Sequence, residues 1–171
     1  MQENENLIEE FKKSITATIK SIGKSEEIEV NFVKDSPSIN GKIINLIEPD
    51  IELISKKLNY IRAEADTMAL KTRFHDEGLH NNYLSDSEIT NKIFDAIENS
   101  RIEAQGSRIF LGIKNNILNK HISDFTNLKE TLEKEEEIIK AFRYVSYSEL
   151  NNIKIKNQFK KYKNIIQKKL G

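Results

Sequence analysis

A chain of 171 residues with 27 basic and 27 acidic side chains has a formal net charge of +0, so no whole-chain field gathers nucleic acid or an anionic membrane. The lack of cysteine excludes disulfides and thiolate metal sites, and 37% hydrophobic against 32% charged residues gives a lean core under a heavily charged surface. Two prolines and six glycines permit long helices, and no apolar run approaches the roughly 18 residues that a membrane-spanning helix needs.

Residues 1–15 are acidic and amphipathic, unlike a secretory signal, so a soluble cytoplasmic protein is expected. Ile8, Phe11, Ile15, Ile19 and Ile22 recur at spacings of three and four, which predicts a helix over residues 5–22 with Lys12, Lys13 and Lys20 outside the stripe. Gly23 is placed to stop it. The period then changes. Ile28, Val30 and Phe32 alternate with Glu29 and Asn31, the mark of a half-buried strand. Residues 35–41 are turn chemistry: Pro37 presets φ and Asn40-Gly41 accepts positive φ. Ile43, Ile44 and Leu46 make a second strand. The two strands predict a β-hairpin near residues 27–47 that rests its apolar face on helices, because two strands alone are marginal.

Asp50, after Pro49, is a good N-cap for a helix whose face is Ile54, Leu58, Ile61, Ala65 and Met68, running to about Asp76 with Gly78 as its stop. Ser85-x-x-Glu88 has capping-box spacing before a long helix from about Asp86 to His121. Its apolar positions are Ile89, Ile93, Ile97, Ile109, Ile113 and Ile117. Gly106 and Gly112 fall inside it; each costs roughly 1 kcal/mol against alanine, and such glycines permit close packing or a bend. Residues 126–145 predict a further helix on Leu128, Leu132, Ile138, Ile139 and Phe142, with an acidic run from Glu130 to Glu137. Ser148-Glu149 opens a last helix on Leu150, Ile153, Phe159, Tyr162, Ile165 and Ile166. That helix is basic through Lys154, Lys156, Lys160, Lys161, Lys163, Lys168 and Lys169, and it is expected to pair with the acidic helix as an antiparallel hairpin. The fold class expected is mainly α, with about five helices and one β-hairpin.

The charge-dense stretch from Arg62 to Arg108 holds the candidate chemistry. Charged side chains enter a core only when paired. Arg62, Asp66, Arg73, His75, Asp76, His80, Glu98, Arg101, Glu103 and Arg108 are therefore taken as a polar network or a partner contact. An internal network is favoured for Asp66, Arg73, Glu98 and Arg101, and a contact surface for His80 and the turn around it. His75, Asp76 and His80 with Glu98 and Glu103 offer metal-ligand types, but the spacing is not that of a helical zinc motif. Pairing with Arg62, Arg73 and Arg101 explains them more simply, and no metal site is assigned. Asp66, Glu98 and Glu103 as acid–base carboxylates give way to a salt-bridged network for the same reason. Gly23-Lys24-Ser25 matches the end of a phosphate-binding loop, yet Thr18 stands where the motif needs glycine and the element before it reads as helix.

Three blocks of sequence stand in a fixed order. Glu27 through Phe32, Asp35-Ser36-Pro37 and Glu48-Pro49 form the first. Arg62 through Leu70, Arg73-Phe74-His75-Asp76 and Leu79-His80 form the second. Phe94 through Glu98, Arg101 through Arg108, Gly112-Ile113 and Asn116 form the third. In these blocks the chain resembles the N-terminal region of the CobT-type subunit of aerobic cobaltochelatase. The resemblance covers about residues 7–120 and is loose over residues 121–171. It implies a non-catalytic subunit of an enzyme that inserts cobalt into a corrin ring at the expense of ATP, in the route to cobalamin. Its implied partners are a CobS-like AAA+ ATPase ring and a CobN-like large subunit. The complex uses ATP, magnesium and cobalt, and this chain is expected to bind no cofactor and no membrane. The family's von Willebrand factor A domain, with its Asp-x-Ser-x-Ser metal site and the acidic linker before it, has no counterpart in the sequence, which is read as a fragment or a truncated member. The domain organisation expected is a CobT N-terminal-like domain over residues 1–120 and a helical extension over residues 121–171. The alternative from another class is an adaptor or nucleic-acid-binding module that uses the basic C-terminal helix.

Overall fold

A computed structural model of the chain describes residues 2–126, 134–155, 160, 162–164 and 166. The chain is mainly α-helical and divides into two compact units, Met1–His75 and Asp76–Gly171. No helix of the described residues is long and apolar enough to cross a membrane.

The first unit opens with α1 (Gln2–Gly23), which buries Phe11, Ile15, Ile19 and Ile22 as the spacing predicts. Lys24 takes a left-handed φ of 52°, and Ser25 N–H donates back to the Lys20 carbonyl at 3.2 Å, which closes the helix. A side chain at Gly23 would have to displace Ile28. A Cβ there would lie 2.4 Å from Ile28 Cδ1, and Ile28 is fully buried.

Three strands follow: β1 (Glu29–Val33), β2 (Ser38–Asn40) and β3 (Ile43–Ile47). The strand expected at residues 28–32 is present, but the hairpin is not the one expected. β1 pairs with β3 in parallel, Val30 opposite Ile44 and Phe32 opposite Leu46. The reason is that the turn segment itself contains β2, so the chain reverses twice before reaching β3. The tight antiparallel turn joins β2 to β3 through Gly41 (φ 57°) and Lys42, with Asn40 opposite Ile43. The sheet order is β1-β3-β2, and Ile44 and Leu46 of β3 are buried.

Helix α2 (Ile51–Phe74) starts where Asp50 caps it, Oδ1 accepting from Leu53 N–H at 2.6 Å. A kink at Lys57 (φ −130°) precedes its buried run of Ile61, Ala63, Ala65, Asp66, Ala69 and Leu70. Arg73 Nη1 donates to the Ile22 carbonyl at 3.1 Å and ties the end of α2 to the end of α1.

The second unit starts with the short helix α3 (Glu77–Asn81), capped by Asp76. Gly78, expected to stop the preceding helix, lies inside α3; His75, in an extended conformation, ends α2 instead. Helix α4 (Glu88–Ile109) is capped by Ser87, not by Ser85. Ser85 is occupied by Asn91, whose side chain accepts from Ser85 N–H and donates to Ser85 O, each at 2.8 Å. The single long helix expected up to His121 is two. Phe110 is extended, and α5 (Leu111–Thr126) starts after it. The break falls between Gly106 and Gly112, the two residues that hold a helix least well.

The core face of α4 also departs from expectation. Ile89, Ile97 and Ile109 are exposed, and the buried side is Ala96, Ser100, Glu103, Ala104, Gly106 and Ser107, with Ile102. The partner explains it. Helix α6 (Glu135–Leu150) packs on α4 and buries Phe142, Tyr144 and Tyr147, whose bulk favours small residues over much of the buried side of α4. Ile113 and Ile117 of α5 are buried as expected. Ser148 and Glu149 do not open a helix; they lie in the last turn of α6. That helix ends where Asn152 turns to φ 53° and Ile153 N–H donates back to Ser148 O at 2.8 Å. Lys163 meets Glu149 at 2.6 Å; both were expected in the last helix, so this is not a rim pair between the acidic run and the basic helix. Leu128, Leu132, Phe159, Ile165 and most lysines of the last segment lie outside the described residues.

Candidate functional site

The ten candidate residues fall in both units. Arg62, Asp66, Arg73 and His75 belong to the first, on α2 and at its end. Arg62 is exposed, Asp66 is buried, and Arg73 also lies over the Phe74 ring at 4.9 Å. The other six belong to the second unit.

Within that unit the candidates separate into distinct pairs. His80 Nε2 lies 2.7 Å from Asp95 Oδ1, and its ring stacks on Phe94 with centroids 4.5 Å apart and 7° between planes. Glu98 and Arg101, one turn apart on α4, make a two-pronged pair: Nε to Oε2 at 2.7 Å and Nη2 to Oε1 at 2.8 Å. Arg101 Nη1 also donates to Gln105 Oε1 at 3.2 Å. Arg108 donates to the Leu150 carbonyl and so links α4 to the end of α6. Asp76 is a helix cap.

Glu103 is the centre of the unit. It is 1% exposed on α4, and three helices supply its surroundings. Arg143 of α6 donates through Nη2 to Oε1 and through Nε to Oε2, the latter at 3.5 Å. His121 of α5 lies with Nε2 3.0 Å from Oε2. An ionised carboxylate only accepts, so in this contact His121 Nε2 carries the hydrogen. Burial pushes the Glu103 carboxyl up, but the charge of Arg143, then of His121, and the hydrogen bonds of both outweigh it and hold the carboxyl well below the usual carboxylate range. The His121 ring packs near Tyr147 and Tyr144, at centroid distances of 5.0 and 5.9 Å. Ser107 Oγ and Tyr147 Oη share a buried hydrogen bond of 2.9 Å. Ser100 Oγ donates to the Arg143 carbonyl at 2.8 Å.

This arrangement clamps three helices to one buried carboxylate. A general base works best with a pKa near the operating pH, and Glu103 is held far from it. Both Glu98 and Glu103 are compensated by a guanidinium, which opposes a cation in the same place. Among the described residues no three His, Asp or Glu side chains converge as a metal-binding group.

Of this centre the sequence reading picked out Glu103 alone and missed His121, Arg143, Tyr144 and Tyr147. Two signals were available. Ala96, Ser100, Glu103 and Ser107 recur at spacings of four and three, the mark of a buried helix face, and a carboxylate on such a face demands cations. His121 also extends the stripe of Ile113 and Ile117 by one more turn.

Residues 5–138 match the family model described as Cobalamin biosynthesis protein CobT. No solved structure matches the chain.

Proposed function

The chain belongs to the CobT family of cobalamin biosynthesis proteins, and from that membership we propose that it is a non-catalytic subunit of an ATP-dependent cobaltochelatase. In this reading it assembles in the cytoplasm with a CobS-like AAA+ ring and relays ATP-driven motion to a CobN-like large subunit. Cobalt is the cargo of the complex and ATP with magnesium its fuel; neither is held by this chain.

The observation that carries the reading is the family match, which runs from residue 5 through the rest of the first unit and on to residue 138, at the start of α6. The chemistry of the second unit agrees with it. Glu98, Glu103 and His80 each engage a side chain of the same unit, which suits a scaffold that transmits force. The test is size-exclusion chromatography with mass detection on this chain mixed with the AAA+ subunit, with and without ATP and magnesium. A high-mass complex that depends on ATP and survives moderate salt is expected. A chain that elutes free under every condition sinks the proposal.

A further inference from the structure

The sheet of the first unit has two edges, and they differ. β2 is three residues long, follows Pro37 and exposes Ser38 and Asn40. Short length and a nearby proline are common ways to protect an edge. β1 has five residues, contains no proline and, among the described residues, pairs with β3 alone. Glu29 N–H donates to Lys42 O at 2.9 Å, and Glu48 N–H donates to Val33 O at 2.7 Å. In a parallel ladder the residues that address the partner alternate with those that face away. Glu29, Asn31 and Val33 therefore address β3, and Val30 and Phe32 turn their N–H and C=O groups to the open edge.

Beside that edge lies an open groove of about 470 Å³ between α1 and β1, lined by Lys12, Lys13, Thr16, Ala17, Lys20 and Phe32, with Glu9 at its rim. Lys12 is already engaged by Glu48 at 2.6 Å and Glu9 at 3.3 Å, and it covers the Phe32 ring. Lys20 donates to the Glu26 carbonyl at 3.0 Å, and Lys13 is exposed. Neither Lys13 nor Lys20 has a carboxylate counter-ion among the described residues. The place thus joins unpaired strand groups to uncompensated positive charge and an aromatic face.

We propose that the open edge of β1 and the lysine-lined groove beside it take an extended acidic segment of a partner protein as an added strand. Main-chain bonds to Val30 and Phe32 supply the register. Side chains of an added strand alternate between faces. On the α1 side its carboxylates meet Lys13 and Lys20, and an apolar residue between them rests on Phe32 and Ala17. The site does not depend on the chelatase reading, because it is defined by the first unit alone.

The test uses the full chain and a fluorescein-labelled peptide of alternating Glu and Val, read by fluorescence anisotropy. Binding is expected. N-methylation of the peptide nitrogens on one edge and the double variant Lys13→Glu/Lys20→Glu are each expected to weaken it about tenfold, near 1.4 kcal/mol. Val30→Pro removes one outward N–H and is expected to do the same. If that variant loses its fold by circular dichroism, the N-methylated peptide on the unmodified chain decides alone. Equal binding of the N-methylated and parent peptides, equal binding of a Lys-Val peptide, or no binding overturns the proposal. So does a dimer by light scattering that Val30→Pro abolishes, which would assign the edge to a second copy.

Discussion

Arg143 on α6 grips both carboxylate oxygens of Glu103 on α4, across 40 positions of sequence. His121 of α5 closes on the same carboxylate. One buried anion therefore fixes the relative register of three helices, and apolar contact alone would leave them freer to slide. Several consequences are measurable.

Removing the anion leaves a buried guanidinium without its partner. Loss of one member of a buried pair costs about 3–5 kcal/mol, whereas replacing all members by apolar groups of similar volume is often neutral. Glu103→Gln is expected to lower the unfolding free energy by an amount in that range, measured by urea titration at neutral pH. The triple variant Glu103→Leu/His121→Leu/Arg143→Met is expected to recover most of the loss. A Glu103→Gln protein within about 1 kcal/mol of the parent would show that the clamp holds nothing.

The same carboxylate sets an acid limit. Its ordinary value is 4.5, and the folded value lies well below. Below pH 4.5 the unfolded chain takes up a proton that folded Glu103 refuses, so the unfolded state binds more protons and stability falls as the pH drops. The contribution is complete above that pH and is lost progressively beneath it. Urea midpoints taken from pH 7 down to pH 3 are expected to fall more steeply for the parent than for Glu103→Gln.

Tyr147 gives the opposite dependence. Burial pushes its phenol up to about 12; the Ser107 hydrogen bond offsets part of this and the Glu103 charge adds to it. From pH 10 to about 12 the unfolded tyrosine ionises first, so the stability it contributes is present below pH 10 and lost as the pH rises through the folded value. Tyr147→Phe is expected to lose about 1–3 kcal/mol at pH 7, because the buried Ser107 hydroxyl loses its partner. The gap to the parent is expected to close on titration toward pH 12. A constant gap across that range would remove the phenol from the account.

Two glycines are expected to respond with opposite sign. Gly23→Ala drives a methyl into Ile28 and should lower the melting temperature, at about 1–3 kcal/mol for overpacking. Gly112→Ala meets nothing within 4 Å, so it should raise the melting temperature through about 0.5–1 kcal/mol of helix propensity. Differential scanning calorimetry on both variants checks the pair; a shift of the same sign in each would contradict this packing.

What the sequence made legible was local. The stripe of α1, the Asp50 cap and the existence of strand β1 each depend on residues a few positions apart, and each stands in the structure, although the burial along β1 does not alternate. What it hid was pairing over distance. Asn40-Gly41 marks a true turn, but nothing in the alternation of Val30 and Phe32 says that β3 lies parallel, because Ser38–Asn40 is too short to declare itself a strand. Glu103 looked like a neighbour of Glu98 and the histidines near residue 78, since its real partners lie 18 and 40 residues onward. The candidate site was thus half visible: its anion was in view as one charge of the Arg62–Arg108 stretch, and its partners were hidden in helices that read as ordinary core.

The small-residue face of α4 reverses the usual pattern of evolutionary tolerance. On most helices isoleucine is the position that resists change and serine the one that drifts. Here the exposed Ile89, Ile97 and Ile109 are expected to drift toward polar residues, while Ala96, Ser100 and Ser107, buried on α4, are expected to accept little that is larger. In a saturating substitution library scored for folded protein, α4 should therefore read as a helix turned inside out.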